Sequence, residues 1–479
     1  MGFSGISDRF ICSQEKKRSL FLSLILYGKS LECHPAWYLV GMEFLNTYTS
    51  LPETFFERIK PSQVKDPRLF LWNHELAEAL QFPQELAQDR RLLAQYLSGN
   101  KLFPGSEPIA MAYAGHQFGH LVPRLGDGRA HLLGEVIDIA GQRRDIQLKG
   151  SGPTSFSRGG DGRCALGPAI REFIMSEAMH ALGVPTTRCL AVVTSGESVK
   201  RELPLPGAIV TRVAASHLRV GTFQFFAARG DRKALRRLCD YAIERHYPEL
   251  AEVGDTADRC IALLDKVIEK QITLVVNWMR VAFIHGVMNT DNTAISGETI
   301  DYGPCAMMSV YDPQTTFSSI DRFKRYAFGN QPAIIAWNMA RFAQCLLPII
   351  DEDESVAREK VGPSLNSLPT RLEKAFLDAM GAKVGLTPLQ PGDEAIVRSL
   401  LELMAKERLD YTTTFHRLGL SLASEATTAE LSTELRGWTK GWRKRLEQRA
   451  ATREETRKIM GRNNPAVIPR NHHVEAVLQ

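Results

Sequence analysis

The densest run of chemically capable side chains is His285-Gly286-Val287-Met288-Asn289-Thr290-Asp291-Asn292, separated by eight residues from Asp301-Tyr302-Gly303. The Asn292 amide oxygen and the Asp301 carboxylate are hard donors of the kind that hold Mg²⁺ or Mn²⁺ on nucleotide phosphates. Asp291 is a carboxylate that can take a proton from an attacking hydroxyl. Upstream, Lys149 and Glu172 stand 23 residues apart, a spacing that allows a strand-to-helix ion pair aiming the ammonium at phosphate. Two four-residue copies, Gly126-Asp127-Gly128-Arg129 and Gly160-Asp161-Gly162-Arg163, combine glycines that let backbone approach phosphate with a fork of guanidinium donors. Arg212 and Arg219 flank a short segment after a strand and can grip phosphates or make surface ion pairs. Each group also has a bland reading: a turn cap for Asp291, an exposed strand-end lysine for Lys149, ordinary Asp-Gly turns for the glycines. Their occurrence together, in one order, favours a nucleotide site.

That order is the one protein kinases use. The spacing from His285 to Asn292 is that of H-R-D-x-x-x-x-N, and Asp301-Tyr302-Gly303 stands where D-F-G would. One letter departs. Val287 occupies the position of the catalytic Asp and cannot accept a proton, which leaves Asp291 as the nearest carboxylate.

These groups need elements to carry them. Residues 42–98 read as mixed and helical. Strands are expected over 131–138 and 145–149, joined by a turn at Gly141-Gln142. A helix over 167–182 carries Glu172, with Ile170, Ile174, Ala178 and Leu182 as its apolar stripe. Further strands are expected over 190–193 and 208–210. After Ala214 the pattern turns helical: one long helix over 255–284, another over 334–347, and more beyond Thr370. Residues 293–300, with Gly297 at their centre, are expected to form a short hairpin joining Asn292 to Asp301. Residues 430–457, rich in Arg, Lys and Glu, read as a solvated helix face. The expected fold is α+β, with strand-containing and helical parts enclosing a nucleotide cleft.

Composition narrows the class. The 479 residues suit two or three domain-sized units, and 24% charged with 44% hydrophobic residues excludes a mostly disordered chain. A formal charge of +5 without a basic arm gives no sign of nucleic acid. No apolar run reaches the ~18 residues of a membrane span. Eight widely spaced cysteines without a C-x-x-C pair suggest reduced core thiols and a cytoplasmic protein. Near the N-terminus, Lys16-Lys17-Arg18 precedes an apolar run over 20–26 that resembles a signal-peptide core, but no A-x-A site follows. Residues 1–41 are read as an extension outside the fold, with a strand-bearing lobe over 42–214 and a helical lobe over 215–479.

The motifs resemble those of the selenoprotein O family, known in bacteria as the YdiU family. The match runs through Tyr113-Ala114-Gly115-His116-Gln117-Phe118-Gly119, Leu125 to Arg129, Leu148-Lys149-Gly150-Ser151-Gly152 and the second Gly-Asp-Gly-Arg copy. It continues through His285 to Asn292, Ile300 to Pro304 and Asn464-Pro465-Ala466, covering about Met42 to the end. The resemblance implies a bilobal protein-kinase-like fold that binds ATP in a flipped orientation. It implies transfer of AMP to hydroxyl side chains of proteins, and for bacterial members also of UMP from UTP. By motif, Gly126, Gly128, Arg129, Lys149, Asp161, Gly162, Arg212, Arg219 and Asp301 would contact the nucleotide, and Glu172 would orient Lys149. Asn292 and Asp301 would hold Mg²⁺ or Mn²⁺, and Asp291 would be the proton acceptor. Two departures stand out. Residues 1–41 match nothing in the family pattern, and the tail after Arg470-Asn471-His472-His473 lacks the redox-active cysteine or selenocysteine pair of some relatives. A conventional kinase, disfavoured by Val287, and an inactive nucleotide-binding scaffold are the competing readings.

Overall fold

The computed structural model describes residues 42–478; the N-terminal segment with its signal-like run, including Cys12 and Cys33, lies outside the described residues. The strands are β1 (Phe56–Arg58), β2 (Arg68–Trp72), β3 (Ile109–Met111), β4 (Gly115–Gln117), β5 (His120–Val122), β6 (Ala130–Ile137), β7 (Arg143–Lys149), β8 (Cys164–Ala165), β9 (Arg188–Lys200), β10 (Pro204–Ala214), β11 (Phe283–Ile284) and β12 (Ala306–Met307). One antiparallel sheet runs in the order β1-β3-β6-β7-β10-β9-β2, with β8 against β10. β6 and β7 form the expected hairpin, closed at Gly141, whose φ of 73° suits a residue without Cβ. β4 and β5 form a separate hairpin.

Strand alternation sorts the sheet into two faces. Ile146, Leu148, Ile209 and Val213 join Leu76, Leu86, Leu93 and Leu97 from the short helices α1 (His74–Ala79), α2 (Gln84–Gln88) and α3 (Arg90–Leu97). The opposite face presents Val192, Ala208 and Val210 to α4 (Leu166–Ala181). That helix lies where expected, but its inward stripe differs. The most buried residues are Ala169, Ile170, Glu172, Met175, Ser176 and Met179, while Ile174 and Leu182 are only partly buried and Ala178 is intermediate. A charged residue on the inward face breaks the apolar periodicity, so hydrophobicity alone points about one residue away.

The remainder is mostly helical: α5 (Val220–Ala227), α6 (Arg232–His246), α7 (Thr256–Arg280), α8 (Gln331–Ile350), α9 (Glu354–Lys383), α10 (Asp393–Lys406), α11 (Tyr411–Ser421), α12 (Glu425–Ala429), α13 (Thr433–Glu447), α14 (Arg453–Asn463) and α15 (Asn471–Leu478). α7, α8 and α9 share a core containing Leu263, Val267, Met339, Phe342, Leu346 and Leu368. By length and composition, the span Phe328–Ile350 could cross a membrane, but most of it is buried inside the protein. The fold is α+β and bilobal, like that of a protein kinase.

Two helical expectations need correction. α7 opens with a capping box between Asp255 and Asp258 but ends at Arg280. The chain reverses through Ala282, at φ 61°, and Phe283–Ile284 becomes β11, paired with β12. Residues 430–457 are not one solvated face either. Leu435 and Trp442 are buried, and Arg445 and Arg449 both bind the fully buried Asp393. The six described cysteines are free and buried.

Candidate functional site

Lys149 ends β7, and the β7–β10 register places Val210 opposite Lys149 and Arg212 opposite Gln147. The period of two therefore puts Lys149, Gln147 and Arg212 on the face towards α4, where Glu172 points inwards. Lys149 Nζ donates to Glu172 Oε2 at 2.7 Å and to Asp301 Oδ1 at 2.6 Å. Arg212 donates through Nε to Glu172 Oε1 at 2.8 Å, and its guanidinium lies 3.6 Å from Asp301 Oδ1. Two cations and two carboxylates thus share one buried cluster whose charges cancel. Only Asp301, with 34% of its side chain exposed, opens to solvent. Burial alone would raise the Glu172 carboxyl, but Arg212 and Lys149 outweigh it and hold it below its ordinary value. Lys149 is the main cause that holds Asp301 far below the usual carboxylate range, and Arg212 and Arg129 add to it. The exposed Arg129 thus stands in the field of the same cleft.

The expected hairpin over 293–300 is absent. Its ends pair outwards instead, Ala294 with Arg219 and Thr299 with Thr186. The β11–β12 ribbon pins the two ends of the segment 285–305 together and so carries both Asn292 and Asp301. Asp301 has φ 68°, a left-handed conformation that a non-glycine residue adopts at some cost. His285 bridges the segment, its Nε2 lying 3.0 Å from the Ile300 carbonyl.

Asp291 sits in the short 3₁₀ turn Thr290–Asn292 and is 8% exposed. Its Oδ1 is buried without a hydrogen-bond partner, and its Oδ2 lies 3.5 Å from Gln117 Nε2. Burial pushes its carboxyl up to about 6, against the opposing pull of Arg219. Arg219, the N-cap of α5, donates to the Asp291 carbonyl at 3.0 Å and stacks 4.3 Å from the Tyr113 ring centroid. The space around the carboxylate is kept by Gly115, where a Cβ would stand 2.4 Å from Asp291 Oδ1.

A family model described as protein adenylyltransferase SelO matches residues 38–479. The chain belongs to the SelO family. A protein nucleotidyltransferase YdiU of Teredinibacter turnerae is 51% identical over 437 residues, covering 91% of this chain and 90% of its own. One from Bradyrhizobium diazoefficiens is 52% identical over 446 residues (92% and 90%), and one from Shouchella clausii is 52% identical over 435 residues (91% and 88%). The relatives of this SelO chain are thus named as nucleotidyltransferases.

The remaining expected residues are spread more widely over this SelO chain. Arg212 lies inside β10 rather than after it, and Arg212 and Arg219 are both buried, so neither makes a surface ion pair. Gly126 and Gly128 pack on the 154–157 turn: a Cβ on Gly126 would meet the Phe156 ring, and one on Gly128 the Phe156 carbonyl. The second copy joins the same turn, with Gly160 N donating to the Ser157 carbonyl, and Gly152 N donates to the Gly162 carbonyl. Asp161 instead pairs with Arg201 at 2.8 Å, outside the Lys149–Asp301 cluster.

The Tyr113–Gly119 run is what residue-level reasoning left without a role. Gln117 meets Asp291, His116 N donates to Thr290 Oγ1, and Phe118 N donates to Asn289 Oδ1. Gln224 Nε2 lies 2.7 Å from His116 Nδ1, and its Oε1 accepts from Thr290 Oγ1. The available signal was a polar His-Gln pair set among small residues, too short to carry a periodicity.

Proposed function

We propose that this protein transfers AMP from ATP to hydroxyl groups of proteins and releases pyrophosphate, with UTP as a second donor. The observation that carries this reading is Asp291: a buried carboxylate with a raised pKa and an unpartnered oxygen, four residues after a kinase catalytic position that is held by Val287. The substrate hydroxyl oxygen attacks the α-phosphorus, its proton passes to Asp291, and the bond from the α-phosphorus to the bridging oxygen breaks as pyrophosphate leaves. A carboxylate near pKa 6 suits this step at neutral pH, being ionised yet basic enough to accept a proton. Arg219 positions it by holding its backbone carbonyl. Lys149 and Arg129 neutralise phosphate charge, and Glu172, shared with Arg212, orients Lys149. The Gly126, Gly128 and Asp161-Gly162 segments are assigned to the nucleotide. The lobe boundary is proposed after Ala214, where β10 ends.

The residues fit a divalent cation. Asn292 donates its amide nitrogen to the Val287 carbonyl at 3.0 Å, which leaves its oxygen without a donor among the described residues. Asp301 engages Lys149 through Oδ1 and keeps Oδ2 available. No group of three or more His, Cys, Asp or Glu side chains converges among the described residues. Two protein oxygens, completed by phosphate and water, are what Mg²⁺ or Mn²⁺ accepts. When bound, the cation would withdraw charge from the phosphates.

Incubation with α-labelled and γ-labelled ATP tests the reading. Label should enter protein from the α position only. Entry from the γ position would mean a kinase, and entry from neither a scaffold. Lys149→Ala should lower turnover about 10²–10³-fold, the scale of losing one preorganised charge donor. Glu172→Gln should cost less, because Lys149 keeps Asp301 as a partner. Steady-state kinetics on the two variants gives the order, and an unchanged Lys149→Ala enzyme would refute the site.

A further inference from the structure

The β4–β5 hairpin has Asp291 on one side and an unassigned group on the other. His116, next to Gln117, sets its ring edge-on to Trp337, with 5.2 Å between centroids. Two guanidiniums share that indole: Arg325 lies 4.8 Å and Arg341 5.2 Å from its centroid. Trp337 and Arg341 are four residues apart on α8 and share a face, whereas Arg325 comes from the segment between β12 and α8. Arg325 also lies 3.9 Å from where a Cβ on Gly119 would stand. Among the described residues no carboxylate pairs with either guanidinium, and the Nε of each is buried without a hydrogen-bond partner. Other sheltered arginines are held either by acids, as Arg188 is by Glu177, Arg212 by Glu172, Arg245 by Asp145 and Arg449 by Asp393, or by backbone carbonyls, as Arg219 is by Asp291 and Arg280 by Leu182. Two like charges on one ring repel, and stacking on an indole offsets only part of that. The pair lacks an anion.

The surroundings say which anion. A cavity of about 460 Å³ is lined by Phe118, Arg325, Arg322, Ile320 and Phe323, with Ile320 68% and Phe323 94% exposed; Asp321 also lines it, its carboxylate taken up by the Arg325 and Tyr326 backbone N–H groups. Exposed apolar side chains beside a cationic group suit a polypeptide. On the other flank a cavity of about 560 Å³ is lined by His116, Gln224 and Arg341, and also by Asp351, Glu352 and Glu354, with Arg232 4.0 Å from Glu352. Those acids repel a polyanion such as a triphosphate, while the arginine end admits a single carboxylate. His116 and Gln117 are consecutive in β4 and point to opposite faces. At ~3.3 Å per residue, an extended substrate covers the width of that strand within about two or three residues.

We propose that Arg325 and Arg341, stacked on Trp337, form the subsite for an acidic side chain of the protein substrate, close in sequence to the residue whose hydroxyl meets Asp291. This rests on the transfer reading above. Burial is the main cause that lowers the His116 pKa, and Arg341 and Arg325 add to it.

The test uses the full chain, α-labelled ATP and peptides with one acceptor serine, in which a single Glu, Ala or Lys is moved over three positions on either side. Glu should exceed Ala about tenfold in kcat/KM at one or two positions, through a lower peptide KM, the scale of one charge-assisted contact. The double variant Arg325→Gln, Arg341→Gln should bring that ratio close to one, and Arg341→Glu should turn the preference towards Lys. Should the double variant fail to fold by thermal melting, each single Gln variant carries the same comparison. Equal wild-type rates for Glu and Ala peptides, or a preference that survives the double variant, would overturn the subsite. So would a rise in the ATP KM matching the loss of turnover, which would give the arginines to the nucleotide. Label in none of the peptides and none in the chain itself would sink the transfer reading, and the subsite with it.

Discussion

Asp301→Asn is expected to lower metal-dependent nucleotide transfer by about 10³-fold or more while the protein stays folded, the scale on which charge neutralisation acts in phosphate chemistry. Asp301 is the member of the buried cluster that opens to solvent, so it is the carboxylate able to meet both Lys149 and a cation. Asparagine keeps the shape but loses the charge. It also tolerates the left-handed φ of 68°, which alanine does at greater cost. Asp301→Ala should therefore be equally inactive and melt at a lower temperature than Asp301→Asn. Removing Asp301 leaves Lys149 and Arg212 sharing Glu172 alone, one positive charge in excess, so both variants should melt below wild type. Titration with Mn²⁺ in the presence of nucleotide should show weakened metal dependence. Wild-type transfer by either variant would remove Asp301 from the site.

Much of this cluster was legible in the sequence because its members follow regular elements. Lys149 ends a strand whose alternation is plain, and Glu172 lies in a helix whose limits were read to within a residue or two. The inward stripe of that helix was misread for the same reason that the helix matters: Glu172 occupies an apolar face. Arg212 is expected just after a strand because apolar residues mark only 208–210 clearly, whereas β10 runs on to Ala214. The failures at 281–284 and 293–300 share one cause. A two-residue ribbon and isolated bridges are made by partners far along the chain, Phe283 with Met307 and Arg219 with Ala294, which no local period reports. The arginines on Trp337 were invisible for the same reason, since Arg325 meets the indole only after the loop before α8 has folded back.

Asp291→Asn should cut transfer by about 10²–10⁴-fold, the usual worth of a general base, with nucleotide still bound. Asparagine fills the same volume between Gly115 and Gln117 and can still meet Gln117, but it takes no proton at neutral pH. The pH profile separates this from a structural loss. Because the carboxyl is pushed up to about 6, wild-type kcat/KM should rise with pH up to about that value and level above it. The Asn variant should lack that limb. Stability should move the opposite way. A raised pKa in the folded state means that the fold binds the proton more tightly than the unfolded chain does. The contribution of Asp291 to wild-type stability is then fullest below the unfolded value near 3.8, declines as pH rises towards about 6, and is flat beyond. At pH 7 to 8 the Asn variant is accordingly expected to be the more stable protein, by about 2–3 kcal/mol. That advantage should vanish near pH 4, as thermal melts at the two pH values can establish. Val287→Asp should not restore transfer in this background or create a kinase. In a flipped nucleotide the γ-phosphate lies away from position 287, and a carboxylate there finds no hydroxyl to activate. Efficient γ-phosphate transfer by Val287→Asp would mean that the nucleotide lies in the kinase orientation, and the buried Asp291 would then have no proton to receive.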